Sequence, residues 1–375
     1  MSDDYRVPYT TILNIQPHNN AERLSVCTIY GFQIITQKDR YKIGDNVIFI
    51  PPDSVLPEWL ENKLFPPDSK VKLNNHRVRQ IRLRGLASQG MIVSPEDVSN
   101  RINPESLQLE QNLSAILEIK KYEPPIPGFS QTIGKLKNRN KKTDHPLFHK
   151  YNGLNNIKFF PDLFKEGEEV VIECKLHGTS GRLSILPYEA NTLWKKVKKF
   201  FGLATKNERC YGSNNVDISA ASSYKGFYGE DIYGKCFDSI NAFSKVKLGE
   251  IVYGEIIGPS IQKNYSYSLK EHHFVVFDVK VLQPDNRFKW LNPEEVESFC
   301  KERDFEFVPV LYRGPYNKDV AYSLTKGPSI YDPNTKIREG IVVKARENYD
   351  YEGNKKALKW VSEDYLADDK NTDFH

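Results

Sequence analysis

Lys175 opens the run Lys175-Leu176-His177-Gly178-Thr179-Ser180, and four further short blocks follow it in a fixed order. They are Tyr253-Gly254-Glu255-Ile256-Ile257-Gly258, Phe274-Val275-Val276-Phe277-Asp278-Val279, Glu339-Gly340-Ile341-Val342-Val343-Lys344 and Leu358-Lys359-Trp360. Each sets a charged or aromatic residue in or beside an apolar run of strand type. A lysine so placed can act as a covalent nucleophile once its amine is neutral. A free lysine has a pKa of about 10.4, so the site must lower it, and nearby cations do so by disfavouring the ammonium form. Lys344 and Lys359 are the cations the later blocks offer. Taken singly, each block has an ordinary explanation: His-Gly and Glu-Gly are common in turns, Phe277 suits a core and Lys359 suits a surface. Five of them, in order within one β-rich stretch, point to a single site.

The ordered set resembles the covalent nucleotidyltransferase superfamily of ATP-dependent ligases and mRNA capping enzymes. The resemblance implies that Lys175 attacks the α-phosphate of ATP, releases pyrophosphate and carries AMP as a phosphoramidate. AMP then passes to a 5′-phosphate end, and a 3′-hydroxyl displaces it to form a phosphodiester. In phosphoryl transfers of this kind, positioning and positive charge do most of the catalytic work. By position, Glu255 matches the acid on the ribose and Phe277 the aromatic stacked on adenine, with Ile341 or Val342 on its other face. Glu339 matches the acid that helps hold a divalent ion, Mg²⁺ or Mn²⁺, and Lys344 and Lys359 match the phosphate-binding lysines. Glu173 is a candidate acceptor for the adenine amino group, and Asp278 a candidate for the metal or the end-joining step.

Three departures from the family pattern carry information. Many relatives have Asp where this chain has His177, and the His variant points toward RNA ends. The last block usually reads Lys-x-Lys, but Ala357 stands at its first position. Either Lys355 or Lys356 supplies that charge, or Lys359 acts alone. A further RNA-ligase block of Ser-Arg-Asn type is best matched by Tyr211-Gly212-Ser213-Asn214-Asn215, which lacks the arginine. Arg209 could reach the same space, and Ser213 and Asn214 are the candidates that remain.

The elements that must position these residues fall into two stretches, and the expected class is α+β. From about residue 7 to 98, short β-like runs (24–29, 32–36, 46–50, 77–83, 90–93) alternate with Gly, Pro, Asn and Asp, as in a small β-barrel. The segments 15–24 and 42–47 resemble parts of tRNA-binding-type OB domains, a fold that commonly holds nucleic acid on one open face. From about residue 159 the runs 169–174, 181–186, 250–257, 273–282 and 340–345 predict antiparallel sheets. One helix is marked by Asn292 as N-cap, Pro293, and Glu295 at the reciprocal capping position. The expected domains are 1–119 (OB-like), 120–150 (a basic, proline-containing linker), 151–366 (nucleotidyltransferase) and 367–375 (a disordered tail).

At 375 residues with 39% hydrophobic and 27% charged content, two globular domains are the natural partition. No apolar run approaches the roughly 18 residues a membrane helix needs. The acidic amino terminus lacks the marks of a signal peptide, so a cytoplasmic or nuclear protein is expected. Five scattered cysteines without a Cys-x-x-Cys pair predict free buried thiols. The net charge of +4 is small, yet basic residues cluster at Arg77, Arg79, Arg82 and Arg84, at 135–142 and at 195–199. Such clusters suit a polyanion. Strand alternation predicts Arg77 and Arg79 on one face and Arg82 and Arg84 on the other. The near-P-loop at 229–236 is set aside because Cys236 lacks a metal-binding hydroxyl and Glu230 and Asp231 would repel phosphate.

With an OB-like domain ahead of the transferase blocks, the chain resembles the nick-sealing RNA ligases of the fifth family. Only 16 residues follow Lys359, where DNA ligases and capping enzymes carry another OB domain. The resemblance implies a monomer that seals a 3′-OH/5′-phosphate nick in duplex RNA or an RNA/DNA hybrid, with RNA on the 3′-OH side. Two alternatives stand: a GTP-using capping-type transferase, and a non-enzymatic RNA-binding protein with a degenerate transferase domain.

Overall fold

Asn292, Pro293 and Glu295 start a helix as their types require: the helix runs Pro293–Glu302, and the Glu295 carboxylate accepts from the Asn292 N–H at 2.7 Å. Its Val296, Phe299 and Cys300 are buried, as the helical spacing predicted. In the computed structural model the described residues are 5–66, 68–69, 72–122, 145–189, 196–197, 200–201, 206–219, 229–261, 267–332, 337–349 and 355–367. Most of the linker, the basic run 135–142, most of 195–199 and the tail from residue 368 therefore lie outside the described residues.

Two units are present, residues 4–124 with 158–161 in one and the remainder in the other. The smaller unit is built from β1 (Tyr9–Thr11), β2 (Asn14–Pro17), β3 (Leu24–Ile29), β4 (Phe32–Gln37), β5 (Asn46–Ile50), β6 (Ser54–Val55), β7 (Arg77–Val78), β8 (Ile81–Leu83), β9 (Leu86–Ser88), β10 (Met91–Val93) and β11 (Lys120–Lys121). They form short sheets ordered β1-β5-β10, β2-β3-β4, β11-β6-β7 and β8-β9. Phe159, from the returning segment, packs against Tyr30, Phe32 and Phe49 of this unit at centroid distances of 5.6, 5.0 and 6.1 Å.

The larger unit holds two antiparallel-dominated sheets. One is ordered β12 (Asn155–Asn156), β22 (Lys355–Val361), β21 (Gly340–Tyr349), β13 (Glu169–Lys175), β20 (Val310–Pro315). The other is ordered β15 (Asn207–Ser213), β14 (Thr179–Pro187), β16 (Glu250–Ile257), β17 (His273–Leu282), β18 (Phe288–Trp290), with β19 (Glu306–Phe307) beside β17. The α+β class holds. All five cysteines are free and buried. Among the described residues, no helix is long and apolar enough to cross a membrane.

The decoy at 229–236 is a helix start: Asp231 caps the helix Ile232–Ser239, accepting from the Gly234 N–H at 2.8 Å. The arginine run differs from simple alternation, because the strand breaks between Val78 and Ile81. Arg77 turns inward, 7% exposed, bonded to Asp53 and stacked 3.9 Å over Tyr122. Arg79, Arg82 and Arg84 are exposed. Arg84 and Gly85 take positive φ (51° and 95°), as the two-residue turn between β8 and β9 demands.

Candidate active site

Register brings the separate blocks together. β13 pairs with β21 so that Lys175 lies opposite Gly340 and Glu173 opposite Val342. β21 pairs with β22 so that Val342 lies opposite Lys359 and Lys344 opposite Ala357. Cross-strand partners share a face. Glu173, Lys175, Val342, Lys344 and Lys359 therefore present one surface, and all five line a cavity of about 240 Å³ whose opposite wall carries Glu255, Phe277 and Ser180. Ile341 is on the other face of β21 and fully buried, so of the two apolar candidates only Val342 reaches the cavity.

Two glycines explain their motifs. A Cβ on Gly340 would lie 2.2 Å from the Trp360 carbonyl oxygen, and one on Gly178 would lie 2.3 Å from that of Ile256. Each contact is a close approach to a neighbouring strand beside a functional side chain: Glu339 precedes Gly340, and His177 precedes Gly178.

The Lys175 Nζ donates to Glu339 Oε1 at 2.5 Å. Lys175 is about one-quarter exposed and Glu339 is buried. Glu339 Oε2 is buried with no hydrogen-bond partner among the described residues. Glu255 is half-buried at the cavity wall. Burial pushes its carboxyl up to about 8, with Lys175 pulling it part of the way back.

Phe277 stands in a β-bulge. Tyr253 and Gly254 of β16 pair with Asp278 and Val276, so Phe277 has no partner residue, and such a bulge re-aims a side chain. Lys344 holds the bulge by donating to the Phe277 carbonyl at 2.6 Å. Its remaining hydrogens meet Glu173 Oε2 at 2.7 Å and Asp278 Oδ1 at 3.3 Å. An ammonium has three donors, and all three are used here. Lys344 is 1% exposed. Burial opposes its charge, but Asp278 and Glu173 outweigh burial and hold its pKa above the ordinary lysine value.

Asp278 is the hub. Its Oδ2 accepts from Tyr151 Oη at 2.6 Å and from Lys355, while Oδ1 takes Lys344. Burial opposes its ionisation, and the two lysines overcome that and hold its pKa low. Three of the roughly four acceptor positions of Asp278 are thus taken by Tyr151, Lys355 and Lys344. Lys355, sharing a carboxylate already paired with Lys344, is drawn below the usual lysine range by burial above all. Its ammonium lies 4.2 Å from the Tyr151 ring centroid and 4.5 Å from that of Trp290. Glu173 is pushed up by burial, against the pull of Lys344, and its Oε1 has no hydrogen-bond partner among the described residues.

The geometry also separates the two lysines near Ala357. Lys355, Ala357 and Lys359 alternate onto one face of β22, while Lys356 turns to Glu168 on the other at 2.5 Å. That alternation was legible in the chain. Tyr151 was not: it lines the cavity, meets Phe277 edge-on at 4.9 Å and bonds Asp278, yet no motif marks it. Asn214 also lines the cavity, its Oδ1 accepting from the Tyr151 N–H at 2.7 Å. Ser213 instead closes a turn, Oγ accepting from the Val216 N–H at 3.1 Å. Exposed Arg209 lies over Phe243, whereas buried Arg182 of β14 donates to the Ser213 carbonyl at 3.0 Å. The arginine at this corner thus comes from the neighbouring strand.

Comparison with known proteins bears on the fold and the family. A family model of an OB-fold domain matches residues 7–95. Structures of Naegleria gruberi RNA ligase share the fold at 22% identity. One is a variant with AMP and Mn (TM-score 0.71; 97% of this chain and 99% of that chain). Another is a variant with ATP and Mn (TM-score 0.69; 97% and 99%), and a third is the ligase with PPi (TM-score 0.69; 96% and 97%). The family model for RNA ligase matches residues 168–361, just over half of the chain and all five blocks of the cavity, and the protein belongs to the RNA ligase family.

Proposed function

We propose that this RNA ligase uses ATP to form lysyl-AMP at Lys175, adenylylates a 5′-phosphate end and seals a 3′-OH/5′-phosphate nick with RNA on the 3′-OH side. The observation that carries the reading is Lys175 at the cavity wall, 2.5 Å from Glu339 and opposite Phe277 and Glu255. In the first step the Lys175 nitrogen bonds to the α-phosphorus, the bond from that phosphorus to the bridging oxygen breaks, and pyrophosphate leaves. The amine gives up a proton, and Glu339 Oε1 is the base in contact with it.

Phe277 and Val342 would sandwich the adenine, and Glu255, protonated or not, can bond a ribose hydroxyl. Glu173 Oε1 suits a donor: adenine offers an amino group where guanine offers a carbonyl oxygen, so the buried acceptor favours ATP over GTP. Two of the solved ligases that share the fold hold ATP or AMP with Mn. A hard divalent cation, Mg²⁺ or Mn²⁺, fits Glu339, whose Oε2 is buried without a protein partner. When bound, it supplies positive charge against the triphosphate and against the Lys175 ammonium. Lys359 is the phosphate-facing lysine. Lys344, with its donors filled, works from behind by holding Phe277, Glu173 and Asp278.

The test is incubation with α-labelled ATP and divalent metal, beside Lys175→Ala and an α-labelled GTP control. Covalent label that survives alkali and is released by acid, as a phosphoramidate requires, is expected on the wild type alone, from ATP, followed by sealing of a nicked duplex that needs ribose on the 3′-OH side. No label from folded protein with either nucleotide would refute the reading, and RNA binding without label would make the chain a degenerate transferase.

A further inference from the structure

We propose that Tyr365, on the short helix Glu363–Ala367, is a positioning residue for the nucleophile turn: its hydroxyl holds His177 and thereby the strand end that presents Lys175. This rests on Lys175 being the nucleophile. No motif block contains Tyr365.

β13 ends at Lys175, and the turn Leu176-His177-Gly178 leads into β14. Beyond Lys175 the strand ladder no longer restrains the chain, so side chains must. The Tyr365 hydroxyl lies 2.9 Å from His177 Nδ1 and 3.5 Å from Nε2, with the two rings edge-on at 5.5 Å. Tyr365 is 2% exposed and His177 7%. On the backbone side, the His177 N–H donates to the Tyr267 hydroxyl at 2.7 Å. Two buried tyrosine hydroxyls thus grip one residue of the turn, one at its ring and one at its amide.

The same terminal segment reaches the partner of Lys175. The Ser362 N–H donates to the Glu339 carbonyl at 2.8 Å. One stretch, 362–365, therefore fastens both halves of the Lys175–Glu339 pair. Placement of the attacking atom matters steeply, since a displacement of about 1 Å can slow a reaction on the order of a hundredfold. Tyr365 would act on the rate of transfer through His177 and leave the nucleotide-binding wall of Phe277, Val342 and Glu173 untouched.

The experiment is single-turnover adenylylation with α-labelled ATP for wild type, Tyr365→Phe, His177→Ala and the double variant, across ATP concentrations, with thermal melts alongside. Tyr365→Phe is expected to lower the maximal rate roughly tenfold, to move the half-saturating ATP concentration less than about twofold, and to add nothing on top of His177→Ala. A wild-type rate in Tyr365→Phe overturns the proposal. So does a loss confined to ATP affinity, or an equal loss in both backgrounds. If His177→Ala leaves no rate to compare, the ¹⁵N resonances of the His177 ring decide: they should move in Tyr365→Phe, and unchanged resonances overturn the proposal. Should Tyr365→Phe fail to fold, Tyr267→Phe tests the same grip from the amide side with the same expected rate loss, and a wild-type rate there overturns it. No label on the wild type removes the nucleophile reading and this inference with it, whereas labelled wild type beside an unchanged Tyr365→Phe removes this inference alone.

Discussion

Replacing Lys344 by Met keeps the volume of a long side chain and deletes three hydrogen bonds, to Phe277, Glu173 and Asp278. Asp278 retains Lys355 and Tyr151, but Glu173 is left buried without its cation. Removing one partner from a buried charge pair costs about 3–5 kcal/mol, because the abandoned charge is then both desolvated and unpaired. For a domain of about 150–250 residues, each kcal/mol moves the melting temperature by roughly 2–4 °C, so a fall of about 6–20 °C is expected. Adding Glu173→Gln should recover part of that fall, since the orphaned carboxylate is gone. The assay is thermal unfolding by circular dichroism of wild type, Lys344→Met and Glu173→Gln/Lys344→Met, with labelling by α-labelled ATP measured on each. A Lys344→Met protein that melts within about 2 °C of wild type, yet takes no label, would refute the reasoning. Lys344 would then be a phosphate-facing charge rather than the brace behind Phe277.

Glu255→Gln should leave stability near wild type in acid and raise it progressively as pH climbs from about 4.5 to about 8. The native carboxyl binds its proton more tightly than the unfolded one, so wild-type stability falls across that window, by up to a few kcal/mol; melts at several pH values check the sign. Phe277→Leu fills the core but forfeits stacking, a loss of about 1–3 kcal/mol that should raise the ATP requirement for labelling roughly 5- to 150-fold. Arg79→Ala, Arg82→Ala and Arg84→Ala should each lower the salt dependence of RNA binding by about one unit of slope where a phosphate contact is lost. Arg77→Ala should leave that slope alone and instead destabilise the OB-fold unit by about 1–3 kcal/mol, because Arg77 is buried on Asp53 and Tyr122.

The strands were readable because their residues alternate or run apolar between turn formers. The stretches 24–29, 46–50, 250–257 and 273–282 have the expected bounds. The run 77–83 was read as one strand but is two, since nothing in Arg79-Gln80 announces the break. Within the site, Glu173, Lys175, Glu255, Phe277, Val342, Lys344 and Lys359 all line the cavity to which their motifs pointed. Ile341 and Arg77 do not serve as sequence position alone suggested: one faces the wrong side of its strand and the other is buried.

What the sequence determined by itself is the set of chemical groups and the strands that carry them, because strand periodicity and glycine-closed turns are local properties read over a few residues. Tertiary structure alone decided which partners each charge meets. Lys344 and Lys359 look alike in the chain and both line the cavity, yet only the packing shows that the three Lys344 donors are filled by β13 and β17. Tyr151, Tyr267, Tyr365 and Arg182 acquire their roles only through partners distant in sequence. The work a buried polar group can do depends on which partners desolvation forces upon it, and those partners are chosen by the packing of two sheets.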